Sequence, residues 1–304
     1  MQKTPFQEVT GGAQEKTMFT VTGITGQVGS AVAQTLLAAG KSVRGIVRDP
    51  QKASLWQERG CELFVADMHD ASALGKAFAA TEGVFVMLPP IFDPSPGFPE
   101  CRQLVTALRK ALETAQPPRI VCLSTIGAQA TQTSLLTQLQ ILEQELRGLP
   151  VIAFLRAAWF MENFAWDVAP ARQTGILRSF LQRLDRSLPM AATRDVGRTA
   201  AELLLQSWRG QRIIELEGPE RITPLQVATT MAHVLERDVR AEAVPGESWE
   251  AIFRGQGMKN PIPRMQMLEG LNQGWIDFEG GKAEPGKGRI HLEEVVRSLA
   301  SKEN

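Results

Sequence analysis

Three glycines near the N-terminus have the spacing of a phosphate-binding turn. Gly23, Gly26 and Gly29 form a G-x-x-G-x-x-G pattern that follows a short apolar run and opens an amphipathic stretch. Glycines at these places allow a tight turn, a close approach of backbone to a pyrophosphate, and close packing of helix on strand. The start of the helix would then offer free N–H groups to phosphate oxygens. The predicted dinucleotide contacts from this turn are Gly23, Thr25, Gly26, Gln27, Val28 and Gly29.

A glycine-rich turn without a ligand is the alternative interpretation, but the strand–turn–helix context favours dinucleotide binding. The end of the second predicted strand then distinguishes between NADP(H) and NAD(H). Arg48 lies 19 residues after Gly29, where NAD-binding proteins carry an acid for the ribose 2′-hydroxyl. A guanidinium instead matches a 2′-phosphate, and Lys52 adds charge nearby. This favours NADP(H), although Arg48 could be a solvated strand end, and Asp49 as the ribose ligand would suit NAD(H).

Two further strand ends carry candidate contacts with the adenosine half of the dinucleotide. Asp67 follows the third predicted strand, where an acid can bind the adenine amino group while Met68 packs against the ring. A helix-capping Asp67 beside a buried Met68 is the equally weighted alternative. Leu88 and Pro89 end the fourth strand, where the backbone would pass the ribose, and a plain turn is the alternative there.

These candidates must be positioned by the elements of the first half, where short apolar runs alternate with helical patterns. The predicted strands are Met18–Thr22, Ser42–Val47, Glu62–Val65, Gly83–Leu88, Ile120–Ser124 and Val151–Leu155. Helices are predicted over Gln27–Ala39, Pro50–Arg59, Ala71–Ala80, Glu100–Thr114 and Ser134–Arg147, with a loop over Pro89–Pro99. Strands that alternate with helices of this length form βαβ units and a parallel sheet. Right-handed crossovers then predict an α/β protein with a doubly wound parallel sheet, the Rossmann fold.

The second half is less regular and is interpreted as a smaller, mostly helical lobe. Helices are predicted over Asp195–Ser207, Pro224–Glu236, Pro261–Leu271 and His291–Leu299, with a strand near Arg212–Glu217 and a linker-like stretch over Gly280–Lys287. We divide the chain into a flexible N-terminal tail (1–16), a Rossmann NAD(P)-binding domain (17–157) and a C-terminal substrate or partner lobe (158–304). The boundary leaves open whether a strand of the lobe returns to the sheet.

The composition disfavours several classes of function. Lys and Arg number 33, as do Asp and Glu, and this zero net charge gives no footprint for nucleic acid or anionic membranes. The widely spaced Cys61, Cys101 and Cys122 predict no disulfide framework, and three scattered histidines predict no metal site. Met1–Thr17 lacks the apolar core of a secretory signal, and Ile120–Leu142 is too polar for a membrane span. We therefore expect a cytoplasmic protein.

Several blocks of sequence are similar to those of one known superfamily. They are the opening turn VTGITGQVGS, VRGIVRDP (Val43–Pro50), IVCLSTIGA (Ile120–Ala128) and FLRAAWFMENF (Phe154–Phe164), with weaker matches at Arg194–Gly197 and Glu215–Ala228. Together they resemble the atypical short-chain dehydrogenases/reductases, and more closely the NmrA-like group, which includes NADPH-dependent quinone oxidoreductases. The resemblance covers about Phe19 to Leu299. It implies a Rossmann fold, dinucleotide binding, and a pocket between the sheet and the C-terminal lobe.

The resemblance also implies places for the reacting groups. Ser124, Thr125 and Ile126 would lie beside the nicotinamide half of the cofactor. Phe160 and Asn163 would border the substrate pocket. Glu162 is a candidate active-site acid, although an acid at a helix start is the commoner explanation.

The chain departs from the superfamily at its usual catalytic pair, Tyr-x-x-x-Lys on the helix after the fifth strand. It contains no tyrosine at all and no lysine between Lys110 and Lys259. The lysine would fall near Gln138 or Leu139. Reduction of a ketone needs a positioned acid or oxyanion donor, so alcohol dehydrogenation is disfavoured and no catalytic residue is assigned. Reduction of a quinone gives a stabilised anion that water can protonate.

The residues and the resemblance together predict an NADPH-dependent oxidoreductase, with hydride transferred to a quinone-like small molecule. Nucleic acid, membranes and metals are not expected as partners. The main alternative is a catalytically inactive NADP(H)-binding redox sensor that acts through a protein partner. A third class is an isomerase or accessory factor in which the cofactor is structural.

Overall fold

The architecture is described for residues 17–302 by a computed structural model, and the predicted tail over residues 1–16 lies outside them. The strands β1–β13 are Met18–Thr22, Ser42–Val47, Glu62–Val65, Gly83–Val86, Ile120–Thr125, Val151–Ala157, Trp159–Phe160, Ile176–Ser179, Leu188–Ala191, Gly210–Glu217, Arg221–Ile222, Arg240–Ala243 and Glu284–Lys287. The helices α1–α11 are Gln27–Ala38, Ser54–Glu58, Ala71–Phe78, Pro99–Ala115, Thr137–Leu146, Ala165–Thr174, Thr193–Leu205, Pro224–Leu235, Trp249–Gly255, Ile262–Gln273 and Leu292–Lys302.

Eight parallel strands form the central sheet, in the order β3-β2-β1-β4-β5-β6-β10-β13. Helices α1 and α7 pack on one face of this sheet, and helices α3, α4 and α5 pack on the other. The predicted α/β class and doubly wound Rossmann sheet are therefore confirmed. The strand order reverses between β1 and β4, and in such sheets ligands bind outside the carboxyl ends of the strands at this point.

The inner strands are apolar on both sides because helices cover both faces of the sheet. In β5, Val121 and Leu123 face the core under α1, whereas Ile120 and Cys122 face the core under α4 and α5. The continuous apolar run that identified this strand in the sequence thus reflects its burial from both sides.

The C-terminal part adds a third core and two small sheets, β7-β9-β11 and β8-β12. The sequence predicted none of these five strands, which have two to four residues each and do not stand in a regular alternation with helices. No helix within residues 17–302 combines the length and the hydropathy that a membrane span requires.

Two sequence predictions of local structure were wrong. The stretch Gly280–Lys287 is not only a linker, because Glu284–Lys287 forms β13 and pairs with β10 at the edge of the central sheet. An edge strand tolerates Pro285, which the sequence had made a sign of a loop. The single helix expected over Pro50–Arg59 is a 3₁₀ turn, Pro50–Ala53, followed by the short helix α2.

Candidate functional site

The glycine turn folds tightly back on itself at the end of β1. The N–H of Gly26 donates to the Gly23 carbonyl at 2.9 Å, and Gly23 has a φ of +65°. A Cβ at Gly29 would lie 2.1 Å from that same carbonyl oxygen, so no other residue fits there without a shift of backbone. The sequence therefore needs glycine at this place to bring helix α1 against the turn.

The start of helix α1 is open to a ligand. Gly26 is its N-cap residue, and among the residues described no side chain caps this helix. Thr25 and Gln27 are exposed, whereas Val28 is buried under the turn. Uncapped N–H groups at a helix N-terminus bind phosphate oxygens, and the small residues leave room for them. The turn therefore has room and donors for the pyrophosphate of a dinucleotide, and the contacts assigned to it from the sequence stay predictions.

The loop after β2 presents basic side chains to solvent beside the turn. Arg48 and Lys52 are both exposed. Asp49 is half-buried, and its carboxylate accepts the Gln51 N–H at 3.0 Å as the cap of the 3₁₀ turn. Because Asp49 already has this role, Arg48 is the better placed of the two to meet a ribose substituent. The assignment of Arg48 to a 2′-phosphate stays a prediction.

The loop after β3 contains Asp67, whose carboxylate is hydrogen-bonded within the same loop. It accepts hydrogen bonds from the backbone N–H and the ring Nδ1 of His69, both at 2.8 Å. These bonds, together with a smaller contribution from the charge of Arg48, lower the pKa of Asp67. Met68 is half-buried. Asp67 is thus an exposed, ionised acid near Arg48, and its contact with adenine stays a prediction.

A side-chain hydrogen bond connects β1 with β4 at the point where the strand order reverses. Thr22 Oγ1 accepts the N–H of Met87 at 2.9 Å, which holds the end of β4 beside the glycine turn. Leu88 is buried and Pro89 is half-buried just beyond it. Since all these strands are parallel, Leu88, Pro89, Arg48 and the glycine turn lie along one edge of the sheet.

The end of β5 is more enclosed than the sequence suggested. Ser124 is buried, and its hydroxyl donates to Glu143 of α5 at 2.6 Å. Thr125 is half-buried, while Ile126 is buried and donates its N–H to the Ala157 carbonyl at 2.8 Å. The predicted contacts of Ser124, Thr125 and Ile126 with nicotinamide stay predictions, but the Ser124 hydroxyl is already engaged.

Sequence reasoning missed a buried charge cluster around Arg156 of β6. Its Nε and Nη2 donate to the Glu143 carboxylate at 2.9 and 2.8 Å, and its Nη1 donates to Glu279 at 3.1 Å. Glu215 lies 3.6 Å from Nη1, while Arg156 itself is 2% exposed. Burial lowers the pKa of Arg156, but its bonds to Glu143 and Glu279 outweigh this, so the net shift is upward.

The only sequence signal for this cluster was the arginine inside the block FLRAAWFMENF. A polar cavity of about 310 Å³ borders the cluster on the face of the sheet opposite α1. Its lining includes Gln129, Gln140, Gln144, Arg147 and Lys282. The cavity therefore lies away from the glycine turn.

In typical short-chain dehydrogenases/reductases the helix equivalent to α5 carries the Tyr-Lys pair. In this chain the side chains of α5 make hydrogen bonds and ion pairs that hold the fold together. The Gln138 amide donates to the carbonyls of Ile91 and Leu135 at 3.0 and 3.2 Å. Leu139 is half-buried, and Glu143 is ion-paired with Arg156. These side chains leave no free proton donor at the places where the sequence comparison put the lysine.

The predicted substrate residues lie where the C-terminal part meets the sheet. Phe160 is half-buried in β7, where it pairs with Ala191, and Asn163 is exposed. Glu162 accepts hydrogen bonds from the Thr193 N–H at 2.9 Å and from its hydroxyl at 2.7 Å. Glu162 is thus an acid at a helix start, in the 3₁₀ turn Met161–Phe164, and its carboxylate also binds the first N–H of α7. The border role of Phe160 and Asn163 stays a prediction.

Thr193 also links this region to the glycine turn. Its Oγ1 lies 3.3 Å from Oε1 of Gln27, the first residue of α1. Glu162, Thr193 and Gln27 therefore form one connected polar chain from the C-terminal part to the predicted phosphate site.

Comparisons with known proteins agree with this geometry. Residues 23–157 match the family described as NAD(P)H-binding. An NAD(P)H azoreductase from Xenophilus azovorans is 24% identical over 251 residues, which cover 81% of this chain and 83% of that protein. Quinone oxidoreductase 2 from Escherichia coli is 22% identical over 251 residues, covering 82% and 85% of the two chains.

Solved structures share the architecture. The crystal structure of the Escherichia coli NADPH-dependent quinone oxidoreductase QOR2 complexed with NADPH superposes with a TM-score of 0.76 at 21% identity, covering 94% of this chain and 100% of that chain. At this identity the likeness establishes the fold. Residues 23–157 thus match an NAD(P)H-binding family, and the chain as a whole shares the fold of this quinone oxidoreductase.

Proposed function

We propose that this chain is an NADPH-dependent reductase that transfers hydride to a quinone-like acceptor without a tyrosine–lysine pair. One observation carries the proposal. The dinucleotide turn is intact, whereas Gln138 and Glu143 of α5 are used in structural hydrogen bonds and the chain has no tyrosine. The similarity to proteins named as an azoreductase and a quinone oxidoreductase supports it.

The residues of the chain would bind and orient the cofactor, which supplies the hydride when bound. The N–H groups at the start of α1 would bind the pyrophosphate, and Arg48 would bind the 2′-phosphate that distinguishes NADP(H) from NAD(H). The carboxyl end of β5, at Thr125 and Ile126, would then lie beside the nicotinamide. Phe160 would offer an apolar surface to a flat acceptor ring.

The choice of acceptor follows from the missing acid. Hydride addition to a simple ketone creates a basic alkoxide, which an enzyme must protonate or bind with oriented donors. Hydride addition to a quinone instead gives a hydroquinone anion whose charge spreads over the ring, and solvent water can supply its proton. A site without a tyrosine or a lysine on α5, in which the Glu143 carboxylate is already paired with Arg156, therefore suits the quinone.

Steady-state oxidation of NADPH with a panel of acceptors tests the proposal. Neutral quinones and an azo dye should be turned over, whereas a simple ketone and a simple aldehyde should not, and reactions without protein correct for direct reduction. The variant Arg48→Ala should raise the KM for NADPH but leave the order of acceptors unchanged. Tight NADPH binding without turnover of any acceptor would contradict the reductase and support the redox-sensor alternative.

A further inference from the structure

The guanidinium of Arg264, in the first turn of α10, is half-buried without an anionic partner. Its Cζ lies 4.4 Å from the centre of the Phe253 ring, and its one polar contact is Nη1 to the Met258 sulfur at 3.8 Å. Across residues 17–302, no carboxylate lies within ion-pair distance of it. Burial lowers the pKa of Arg264, and no neighbouring charge opposes this shift.

Two other enclosed arginines of the chain, Arg156 and Arg198, are paired with carboxylates. Arg156 has three carboxylates around it, and Arg198 pairs with Asp195 at 2.7 Å and with Glu202 at 3.2 Å. Removing a cation from water without an opposite charge is costly, so proteins pair such groups or use them to bind anions. Among residues 17–302, the guanidinium of Arg264 contacts the Phe253 ring and the Met258 sulfur but no oxygen acceptor, and an anionic ligand would supply that acceptor.

The fold brings the start of α10 to the edge of the sheet that carries the proposed cofactor site. The Pro263 carbonyl accepts the N–H of Leu135, in the segment between β5 and α5, at 2.8 Å. The Asp93 carboxylate, in the loop after β4, accepts the N–H groups of Lys259 and Asn260 at 2.8 and 2.7 Å. Arg264 thus follows directly on residues anchored to the loops that leave the carboxyl ends of β4 and β5.

The surroundings of Arg264 suit an aromatic ligand with an acidic substituent. Met258, whose sulfur contacts the guanidinium, and Met265 are partly buried thioether side chains, and such side chains adapt to flat rings. A guanidinium offers paired N–H donors that match carboxylate or sulfonate oxygens.

We propose that Arg264 is a specificity-determining residue that binds a carboxylate or sulfonate group on a flat aromatic acceptor. This rests on the proposed reductase function and narrows it to acidic acceptors. The residue recognises the substituent of the acceptor and takes no part in the transfer of hydride.

The test compares naphthoquinone with naphthoquinone sulfonate as acceptors for wild type and Arg264→Met. Loss of charge-assisted hydrogen bonds should lower kcat/KM for the sulfonate by about tenfold to a hundredfold, mainly through KM, and change the neutral quinone by less than about threefold. Arg264→Lys should lose only part of this preference. The matched control is Arg254→Met, which removes an exposed arginine that pairs with Glu250 and should leave the ratio of the two acceptors unchanged. Equal losses on both acceptors would overturn the inference.

A binding experiment separates this inference from the reductase proposal. Calorimetric titration with naphthalenesulfonate, in the presence of NADP⁺, needs no turnover. Wild type and Arg254→Met should bind it, and Arg264→Met should bind it about tenfold or more weakly, while neutral naphthol should not distinguish them. If neither quinone is reduced, the proposed function fails by itself. If naphthalenesulfonate does not bind wild type, or binds all variants equally, the anion site fails.

Discussion

The hydroxyl of Ser124 donates a 2.6 Å hydrogen bond to the Glu143 carboxylate, which is itself held by two nitrogens of Arg156. A hydroxyl in this position at the end of the fifth strand lies where the resemblance placed nicotinamide contacts. Because the Ser124 hydroxyl already donates its hydrogen bond to a buried carboxylate, it is not available to protonate a substrate. This pair therefore agrees with the proposal that the acceptors are ones that need no proton from the protein.

The buried cluster makes Arg156 a principal determinant of stability. Arg156→Met would leave Glu143 and Glu215 without a cation, while Glu279 would keep only Lys282 at 3.7 Å. The free energy of unfolding should therefore fall by about 3–5 kcal/mol. Urea denaturation measures the change. Arg240→Met removes an exposed pair with Glu242 and should cost less than about 1 kcal/mol. Losses of similar, small size for the two variants would contradict this view of the cluster.

The preference for NADP(H) should depend on Arg48. Arg48→Ala removes a cation from the 2′-phosphate, so NADPH should bind about tenfold to a hundredfold more weakly while NADH changes little. Fluorescence titration of both cofactors measures this. Arg59→Ala, which removes an exposed arginine over Trp56, is the control and should leave both affinities unchanged. Equal weakening of NADPH and NADH by Arg48→Ala would refute the assignment.

The turn should tolerate no side chain at Gly29. A Cβ there meets the Gly23 carbonyl oxygen at 2.1 Å, so Gly29→Ala should abolish dinucleotide binding and destabilise the fold by about 1–3 kcal/mol. Gly255→Ala, at an exposed helical glycine with open space around it, should be neutral or slightly stabilising. Thermal unfolding with and without NADPH measures both effects, and a Gly29→Ala protein that binds NADPH normally would be inconsistent with the proposed phosphate site.

The carboxyl of Asp167 in α6 should make stability depend on pH. Burial raises the pKa of Asp167 from 3.8 to about 7. The folded protein therefore keeps this proton up to about pH 7, whereas the unfolded chain releases it near pH 4. Between these values the folded state binds more protons, so stability falls as the pH rises, by up to about 4 kcal/mol in total.

Asp167→Asn should remove this dependence and raise the free energy of unfolding at about pH 8 relative to wild type. Urea denaturation from about pH 4 to about pH 8 measures the slope that this linkage predicts. Asp238→Asn, at an exposed carboxylate, should keep the wild-type slope. An unchanged slope in Asp167→Asn would show that Asp167 is not the titrating group.

The sequence predicted the six strands and the order of elements in the first half because each element carries its own signal. Buried strands are apolar runs, and the helices between them have period 3.6 and end at glycine or proline. The glycine turn was found for the same reason, since turn, strand and helix are contiguous. Boundaries shifted by a few residues, as at β4, which ends at Val86 instead of Leu88.

The rest depends on contacts between distant residues. Arg156 meets Glu215 and Glu279, which lie 59 and 123 residues later, and no local pattern indicates that they converge. The unpaired state of Arg264 is likewise visible only when its neighbours are known. Short strands such as β11 form because a partner strand is present, so their residues alone carry little preference.

The pairing of β10 with β6, and of β13 with β10, has a consequence for how the molecule unfolds. A fragment ending at Ala157 would leave the outer edge of β6 without its hydrogen-bonding neighbour, and Arg156 would lose two of its carboxylates. The chain leaves the central sheet after β6, forms elements of the C-terminal part, and returns to the same sheet at β10 and again at β13. Calorimetry should therefore record one cooperative melting transition instead of two, and severing the chain in its middle should yield pieces that are stable only when mixed.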